Sequence, residues 1–416
     1  MITMHSKQSR FTSEFFSSNR ARLRELFTGT APIVLAANGL LQRGGDSTYA
    51  FSQDASFWYL TGINEPDVTL VMDRDKEYLI IPERSANREA FDGRVNTQSL
   101  TQISGIQKIY DGNEGWDQLS GRLKKVKHIA TLAVMPSYIE HYGIYTNPAR
   151  LALATRLKEI KPDIDLLDLS PHLTRMRMIK QAPEIAAIQD AINITIATIK
   201  EATKKNKLSK YAYEYQIEAA LSRGFRTRGA DGHAFEPIVA GGSRAVTLHN
   251  LANNAPLSAD ELIVIDIGAE VEHYAADITR TVALSTASRR QRLVHEAVED
   301  VQAHAIELLR PGVFLKDYEK AVEQIMGEKL RELGLLKSIS TEDVRKYYPH
   351  ATSHFLGLNV HDIGDYDRAL EPGVVLTVEP GIYIPEEGIG VRIEDDILIT
   401  PSGNKNLSEA LPRNLD

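Results

Sequence analysis

Apolar positions along this 416-residue chain fall into two regimes. Up to about residue 175, helical spacing alternates with short apolar runs. Residues 11–27 (FTSEFFSSNRARLRELF) repeat apolar side chains at three- and four-residue intervals behind a Thr/Ser start, which predicts an opening helix. Residues 32–37, 68–72 and 78–81 are short runs bounded by Gly, Asp or Pro and predict strands. Helices are predicted over 116–125 and 148–160, and strands over 129–134 and 164–167. This alternation is that of an α/β domain, assigned to residues 1–175. Within it, 51–61 carries the adjacent Phe57, Trp58 and Tyr59 and predicts an exposed hairpin, serving either as an oligomer contact or as ordinary core.

Past a boundary placed between Pro171 and Pro183 the pattern changes. Pro183 is expected at the first position of a long helix over 184–204, where its missing N–H costs nothing. A second helix, 211–223, follows the basic stretch KKNKLSK, read as a solvated helix end rather than a site for an anionic partner. LIVIDIG at 262–268 and VVLTV at 374–378 are β-rich, while 289–309 and 316–333 are helical. Residues 176–416 therefore predict an α+β domain built on antiparallel hairpins.

Composition narrows the function. With 48 Lys+Arg against 56 Asp+Glu the chain carries a formal charge of −8, which argues against a protein that coats nucleic acid. The absence of cysteine excludes disulfides, thiolate metal sites and a Cys nucleophile. Residues 1–10 lack the apolar core of a secretory signal. The most apolar early run, 31–41, is interrupted by Asn38 and Gly39 and falls short of the ~20 residues of a membrane span. A soluble, cytoplasmic protein with neither nucleic-acid nor membrane partners is expected.

Chemistry concentrates in the second domain. Asp266 breaks a run of branched apolar residues, and a carboxylate inside a buried strand is costly unless paired or metal-bound. Asp277 lies in the next strand-like run, 274–282; a turn around Val271–Glu272 would set the two opposite each other. For this pair alone, a metal site competes evenly with a turn residue plus an Asp–Arg pair. Glu379 closes VVLTVE and Glu394 lies in VRIEDDILI, with their midpoint between Glu386 and Glu387 in a good turn sequence. Two hairpins with opposed carboxylates favour a hard divalent cation bound through oxygen. Of the 12 histidines, His350, His354 and His361 share one stretch. His354 could supply a nitrogen ligand, and His350 and His361 could reach a substrate. His249, on a strand-like piece after Gly241-Gly242, is a weaker candidate. The others, His5, His128, His141, His172, His233, His273, His295 and His304, are taken as structural or solvated. Four carboxylates and an imidazole suit two divalent ions sharing a bridging water, which is hydrolytic chemistry. Arg392, two residues before Glu394, would share its face and orient a metal-bound carboxylate.

The ordered set Asp266, Asp277, His354, Glu379 and Glu394, in DIGAEVEHYAADITRT, SHFLGLNVHD, TVEPGIY and VRIEDD, resembles the metallopeptidases of the pita-bread fold. The stretch STYAFSQDASFWYLTGINEPD is similar to the N-terminal domain of the aminopeptidase P (Xaa-Pro aminopeptidase) family. The resemblance implies an α/β N-terminal domain before an α+β pita-bread catalytic domain, and two metal ions, Mn²⁺ foremost. It implies that Asp277 and Glu394 bridge them, Asp266 chelates one, and His354 with Glu379 holds the other. Glu379 would assist proton transfer from a bridging water acting as nucleophile. His249 and His361 would contact the scissile carbonyl and tetrahedral intermediate, His350 would line the substrate pocket, and Tyr383 would support the ligands from behind. The implied substrates are peptides with proline second, and the implied assembly is a homodimer or homotetramer. Prolidase, restricted to Xaa-Pro dipeptides, shares all five ligands and is the alternative. A non-catalytic peptide-binding module or a creatinase-like metal-free hydrolase would show broken ligand positions, and all five are intact here. A methionine aminopeptidase would have no need of the preceding 175-residue domain.

Overall fold

The computed structural model describes residues 9–134 and 143–415. His5 and His141 lie outside the described residues. The chain divides into two compact units, Met1–Met176 and Arg177–Asp416.

The first unit is built on a six-stranded mixed sheet in the order Ile109–Tyr110, Glu77–Ile80, Thr69–Met72, Ile33–Ala36, His128–Thr131, Asp165–Asp168. Val34 faces Val71 across the ladder, and both pack with Ile80 and Ile129 against Leu119, Leu123, Leu153 and Leu157. The last four come from helices Gly112–Leu123 and Ala149–Ile160, so the predicted alternation becomes a helix layer on a sheet. The alternate residues Ile33, Leu35, Leu70 and Met72 are buried as well, as expected for a sheet covered on both faces. The buried Arg20 of helix Ser13–Leu26 donates to Glu77 through two nitrogens (3.1 and 2.8 Å) and to the carbonyls of Leu60 and Ser104 (2.8 and 2.9 Å).

Residues 51–61 do not form a hairpin. Ala55–Thr61 is a helix, opened by Asp54, whose Oδ1 accepts from the N–H groups of Ser56 and Phe57 (both 2.9 Å), and closed by Gly62 at φ 69°. Phe57, Trp58 and Tyr59 are all buried, and Trp58 meets Phe11 and Phe16 edge-on. These rings are core, which removes the suggested oligomer contact. An Asp cap and a left-handed glycine override the strand preference of the aromatic run.

In the second unit every strand pairing among the described residues is antiparallel. Helix Ala182–Ala202 is capped by Gln181, so Pro183 takes the second helical position rather than the first. Its missing N–H is still one of the four that no helix can satisfy internally. Helices Arg289–Leu308 and Leu315–Glu332 bury Val294, Val298 and Val301, and Tyr318, Val322 and Met326, at three- and four-residue spacing. These meet Val378, Ile382, Val391 and Ile397 of the C-terminal hairpin in one core. No helix among the described residues is long and apolar enough to cross a membrane.

One backbone approach within this unit tolerates no side chain. A Cβ on Gly268 would lie 1.6 Å from the carbonyl oxygen of Ala276, beside Asp277. Rotating a side chain cannot relieve a clash with backbone, so Gly268→Ala must prise the two segments apart. The variant is expected to lose at least about 2 kcal/mol of stability in urea unfolding. A wild-type midpoint would contradict this account of the local packing.

Candidate metal centre

Interruptions in the β-ladders place the acidic side chains. Strand Leu262–Ile267 pairs with Ile278–Ala283 so that Asp266 opposes Thr279, not Asp277. The turn that sets this register is centred on Glu272 and His273, at φ 49° and 69°, with Val271 opposite Tyr274. It thus lies one residue later than expected, which moves the pairing by two. Two residues is one full pleat, so Asp266 and Asp277 keep a common face and approach diagonally. Nor is 274–282 one strand: it breaks after Tyr274–Ala275, and Asp277 occupies the break.

The second hairpin has the predicted register. Val375 pairs with Leu398 through Val378 with Asp395, and Gly381 pairs with Arg392 through Ile384 with Ile389. One register spans both ladders, and Glu379 and Glu394 oppose each other in the gap between them rather than inside strands. Their N–H groups bond outward instead, Glu379 to the Thr352 carbonyl (2.8 Å) and Glu394 to the Thr279 carbonyl (3.1 Å). Thr281 Oγ1 adds bonds to the Arg392 carbonyl (2.9 Å) and from its N–H (3.1 Å), joining the two hairpins. The histidine segment is not a strand but runs alongside one. Thr377 N–H donates to the His354 carbonyl (3.0 Å) and Leu356 N–H to the Val375 carbonyl (3.1 Å).

These constraints bring Asp266, Asp277, His354, Glu379 and Glu394 together. One ligand atom each of Asp277, His354 and Glu394 lies within 4.8 Å of the others. His354 Nε2 is 3.3 Å from Glu379 Oε1 and 3.4 Å from Asp277 Oδ2. Its Nδ1 lies 3.1 Å from the Phe355 carbonyl, which can only accept; a proton on Nδ1 leaves the Nε2 lone pair facing the carboxylates. Arg392 Nη2 donates to Asp266 Oδ2 (2.7 Å), and Thr279 Oγ1 donates to Glu394 Oε2 (2.6 Å). The other oxygens, Asp266 Oδ1, Asp277 Oδ1 and Glu394 Oε1, are buried with no hydrogen-bond partner among the described residues. Burial, then their acidic neighbours, pushes Asp277 and Glu394 well above the usual carboxylate range. Burial also raises Glu379, to about 7, against the opposing pull of His354 and Arg392. Orphaned carboxylate oxygens beside an imidazole nitrogen fit hard divalent cations.

The remaining candidates surround this cluster. Tyr383 Oη accepts from Arg392 Nη1 (3.0 Å) and lies 2.9 Å from His350 Nε2, while His350 Nδ1 lies 2.9 Å from the Ala351 carbonyl. With Nδ1 donating to that carbonyl, Nε2 accepts from the Tyr383 hydroxyl, and the ring is neutral. Burial and the nearby Arg392 push His350 down to about 3. His361 stacks edge-on to His354, with ring centroids 4.4 Å apart, and loss of hydration followed by repulsion from His354 and His249 lowers it to about 4. His249 lies not on a strand but in an exposed turn after the 3₁₀ helix Gly242–Val246. Two further residues belong to the site. Thr279 bonds Glu394 and Arg392, and Asp396 Oδ2 accepts the Asp277 N–H (3.2 Å). Thr279 was legible as the residue two beyond Asp277 on one strand face; Asp396 was hidden in an acidic run.

Residues 186–401 match the family described as metallopeptidase family M24, and residues 16–130 match the aminopeptidase P N-terminal domain. The chain belongs to metallopeptidase family M24. A Haemophilus influenzae relative named Xaa-Pro aminopeptidase is 35% identical over 434 residues, covering 98% of this chain and 96% of the relative. The human Xaa-Pro aminopeptidase 3 is 32% identical, covering 92% of this chain and 79% of its own length. Among solved structures, Escherichia coli aminopeptidase P with the inhibitor Pro-Leu is similar with a TM-score of 0.85 at 29% identity, covering 97% of this chain and 96% of that one. Proline aminopeptidase P II from Yersinia pestis gives 0.84 at 31% identity, covering 97% of each chain. The expected α/β domain before an α+β pita-bread domain, and the expected metallo-exopeptidase class, both hold for this M24 member.

The raised carboxylates make metal binding a proton-coupled event. Carboxyl groups held above their usual range keep protons that a divalent ion must displace. Binding of a divalent cation, with Mn²⁺ as the probe, is therefore expected to release protons and to tighten as pH rises through about 7, the value to which burial raises Glu379. Calorimetry in buffers of different ionisation enthalpy measures the release. The same groups bear on stability without metal. At Glu379 the folded state binds more protons than the unfolded one, so its contribution to stability falls as pH rises from about 4.5 through about 7, while His350 and His361, held neutral by burial, contribute in the opposite sense. Affinity independent of pH, with no proton release, would contradict this electrostatic description.

Proposed function

We propose that this M24 metallopeptidase is an Xaa-Pro aminopeptidase, cleaving the bond between an N-terminal residue and a following proline. The observation that carries the reading is the pairing of an aminopeptidase P N-terminal domain with an M24 domain, in a chain similar over nearly its full length to enzymes of that name. The buried carboxylate–imidazole cluster supports a dinuclear centre. Asp277 and Glu394 would bridge the ions, Asp266 would hold one, and His354 with Glu379 the other. Mn²⁺ suits this oxygen-rich set. Two bound divalent ions supply Lewis acidity to the scissile carbonyl and an acidified water as nucleophile.

The chain's own groups do the rest. Glu379 would accept a proton from the attacking water and return it to the proline nitrogen as the C–N bond breaks. His361 and His249 sit at the exposed rim, and an N–H from either can stabilise negative charge developing on the carbonyl oxygen. His350, neutral and held between Tyr383 and Ala351, presents an uncharged wall to the substrate. Arg392 holds Asp266 and Tyr383 together, fixing both without occupying the orphaned oxygens. Proline's fixed ring and missing N–H would call for a dedicated pocket. Homo-oligomeric assembly and a cytoplasmic setting complete the proposal.

Hydrolysis of an Xaa-Pro-Xaa tripeptide and an Xaa-Pro dipeptide, side by side with Mn²⁺, tests it. The tripeptide is expected to lose its first residue, and Glu379→Gln to lower kcat by about 10²–10⁴-fold. Turnover of the dipeptide alone would move the assignment to prolidase. Failure on both by metal-loaded protein would overturn it.

A further inference from the structure

Behind the histidine segment, on helix Leu315–Glu332, lies a carboxylate that has no part in the cluster itself. Glu319 accepts four hydrogen bonds from two consecutive residues. Thr352 N–H lies 3.1 and 2.9 Å from its Oε1 and Oε2, Thr352 Oγ1 2.9 Å from Oε2, and Ser353 N–H 3.1 Å from Oε1. Thr352 and Ser353 are buried and stand between His350 and His354. The Thr352 carbonyl in turn accepts the Glu379 N–H at 2.8 Å. A single side chain thus grips the backbone from which His350, His354 and Glu379 are all set.

One helical turn on, Glu323 completes the grip. It accepts from Arg345 Nε and Nη2 (3.1 and 2.8 Å), and Arg345 Nη1 donates to the His350 carbonyl (2.7 Å). Residues four apart share a helix face, so Glu319 and Glu323 hold the segment at its middle and at its His350 end. Tyr318 and Tyr348 flank the contact, with hydroxyls on Ser353 Oγ (3.0 Å) and Thr352 Oγ1 (2.5 Å). Thr352 and Ser353 are buried, so their two N–H groups need an acceptor, and losing it costs the desolvation of each.

From this geometry we infer that Glu319 is a positioning residue for the metal centre: its two oxygens fix the Thr352–Ser353 backbone and thereby the reach of His354 and Glu379 to the ions. The inference rests on the dinuclear reading of the site. It concerns the shape of the acceptor rather than its charge, because both oxygens are spent on N–H and O–H donors. Glutamine can present one oxygen to both N–H groups and its amide to the Thr352 hydroxyl. Aspartate keeps the charge but is drawn back by one methylene.

Glu319→Gln, Glu319→Asp and Glu319→Ala separate these properties. Metal-stripped protein is titrated with Mn²⁺ by calorimetry, and kcat and KM are measured on an Xaa-Pro-Xaa tripeptide, with circular dichroism and thermal unfolding as checks on folding. The expected result is about 10–100-fold weaker Mn²⁺ binding and a lowered kcat for the Asp and Ala variants, with the Gln variant close to wild type. Wild-type Mn²⁺ affinity in all three, or an Asp variant that matches wild type while Gln falls, would overturn the inference. Should the Ala variant fail to fold, the order of Gln and Asp still decides. Wild-type protein that binds Mn²⁺ but leaves the tripeptide intact would refute the peptidase assignment, while the Mn²⁺ series would still test Glu319.

Discussion

Negative charge held out of water is the constraint around which the catalytic unit is arranged. Asp266, Asp277 and Glu394 are buried, Glu379 is half-buried, and three of their oxygens have no partner among the described residues. At an effective dielectric near 20, two unit charges 4 Å apart repel by about 4 kcal/mol. Arg392 offsets part of this by bonding Asp266, and Thr279 stabilises Glu394, yet Asp277 and Glu394 remain far from their ordinary protonation. A cluster of this kind is poorly stable as a set of anions and well suited to divalent cations. Loss of one carboxylate would relieve repulsion and at the same time remove the reason for the site.

The fold delivers that arrangement through breaks in its hairpins rather than through the ladders themselves. Asp277 occupies the gap between two short strands, and Glu379 and Glu394 face each other across a second gap in one continuous register. At each break the backbone N–H is satisfied elsewhere, by Thr352, Thr279 or Asp396, so the side chains turn toward a common point without orphaned backbone groups. The histidine segment is tied by backbone bonds to Val375 and Thr377 of strand Val375–Val378 and to Glu379 just beyond it, and so His354 arrives at the carboxylates by register rather than by a flexible loop. Long helices behind the hairpins supply the apolar core that keeps these polar breaks rigid.

Much of this was legible in the sequence where a local signal carried it. The Glu379–Glu394 opposition followed from a turn sequence centred between them, and the structure keeps that register. The Asp266–Asp277 pairing slipped by two because the turn falls on Glu272 and His273, non-glycine residues at positive φ that carry no Asn-Gly or Asp-Gly signal. The aromatic run at 57–59 has a β-like composition, but the Asp54 cap and Gly62 stop on either side of it, both present in the sequence, decide for a helix. Glu319 carried no local signal at all. A glutamate on an amphipathic helix reads as solvated surface, and only tertiary packing reveals that it faces the Thr352–Ser353 backbone.

We propose that the clustered carboxylates form one site for two divalent cations that share ligands. Electron paramagnetic resonance of the protein at two equivalents of Mn²⁺ addresses it directly. Two ions sharing carboxylates would be exchange-coupled, so the multiline spectrum of a coupled pair is expected to replace the six-line signal of isolated Mn²⁺. A simple six-line spectrum from protein holding two ions, or saturation at a single ion, would contradict it.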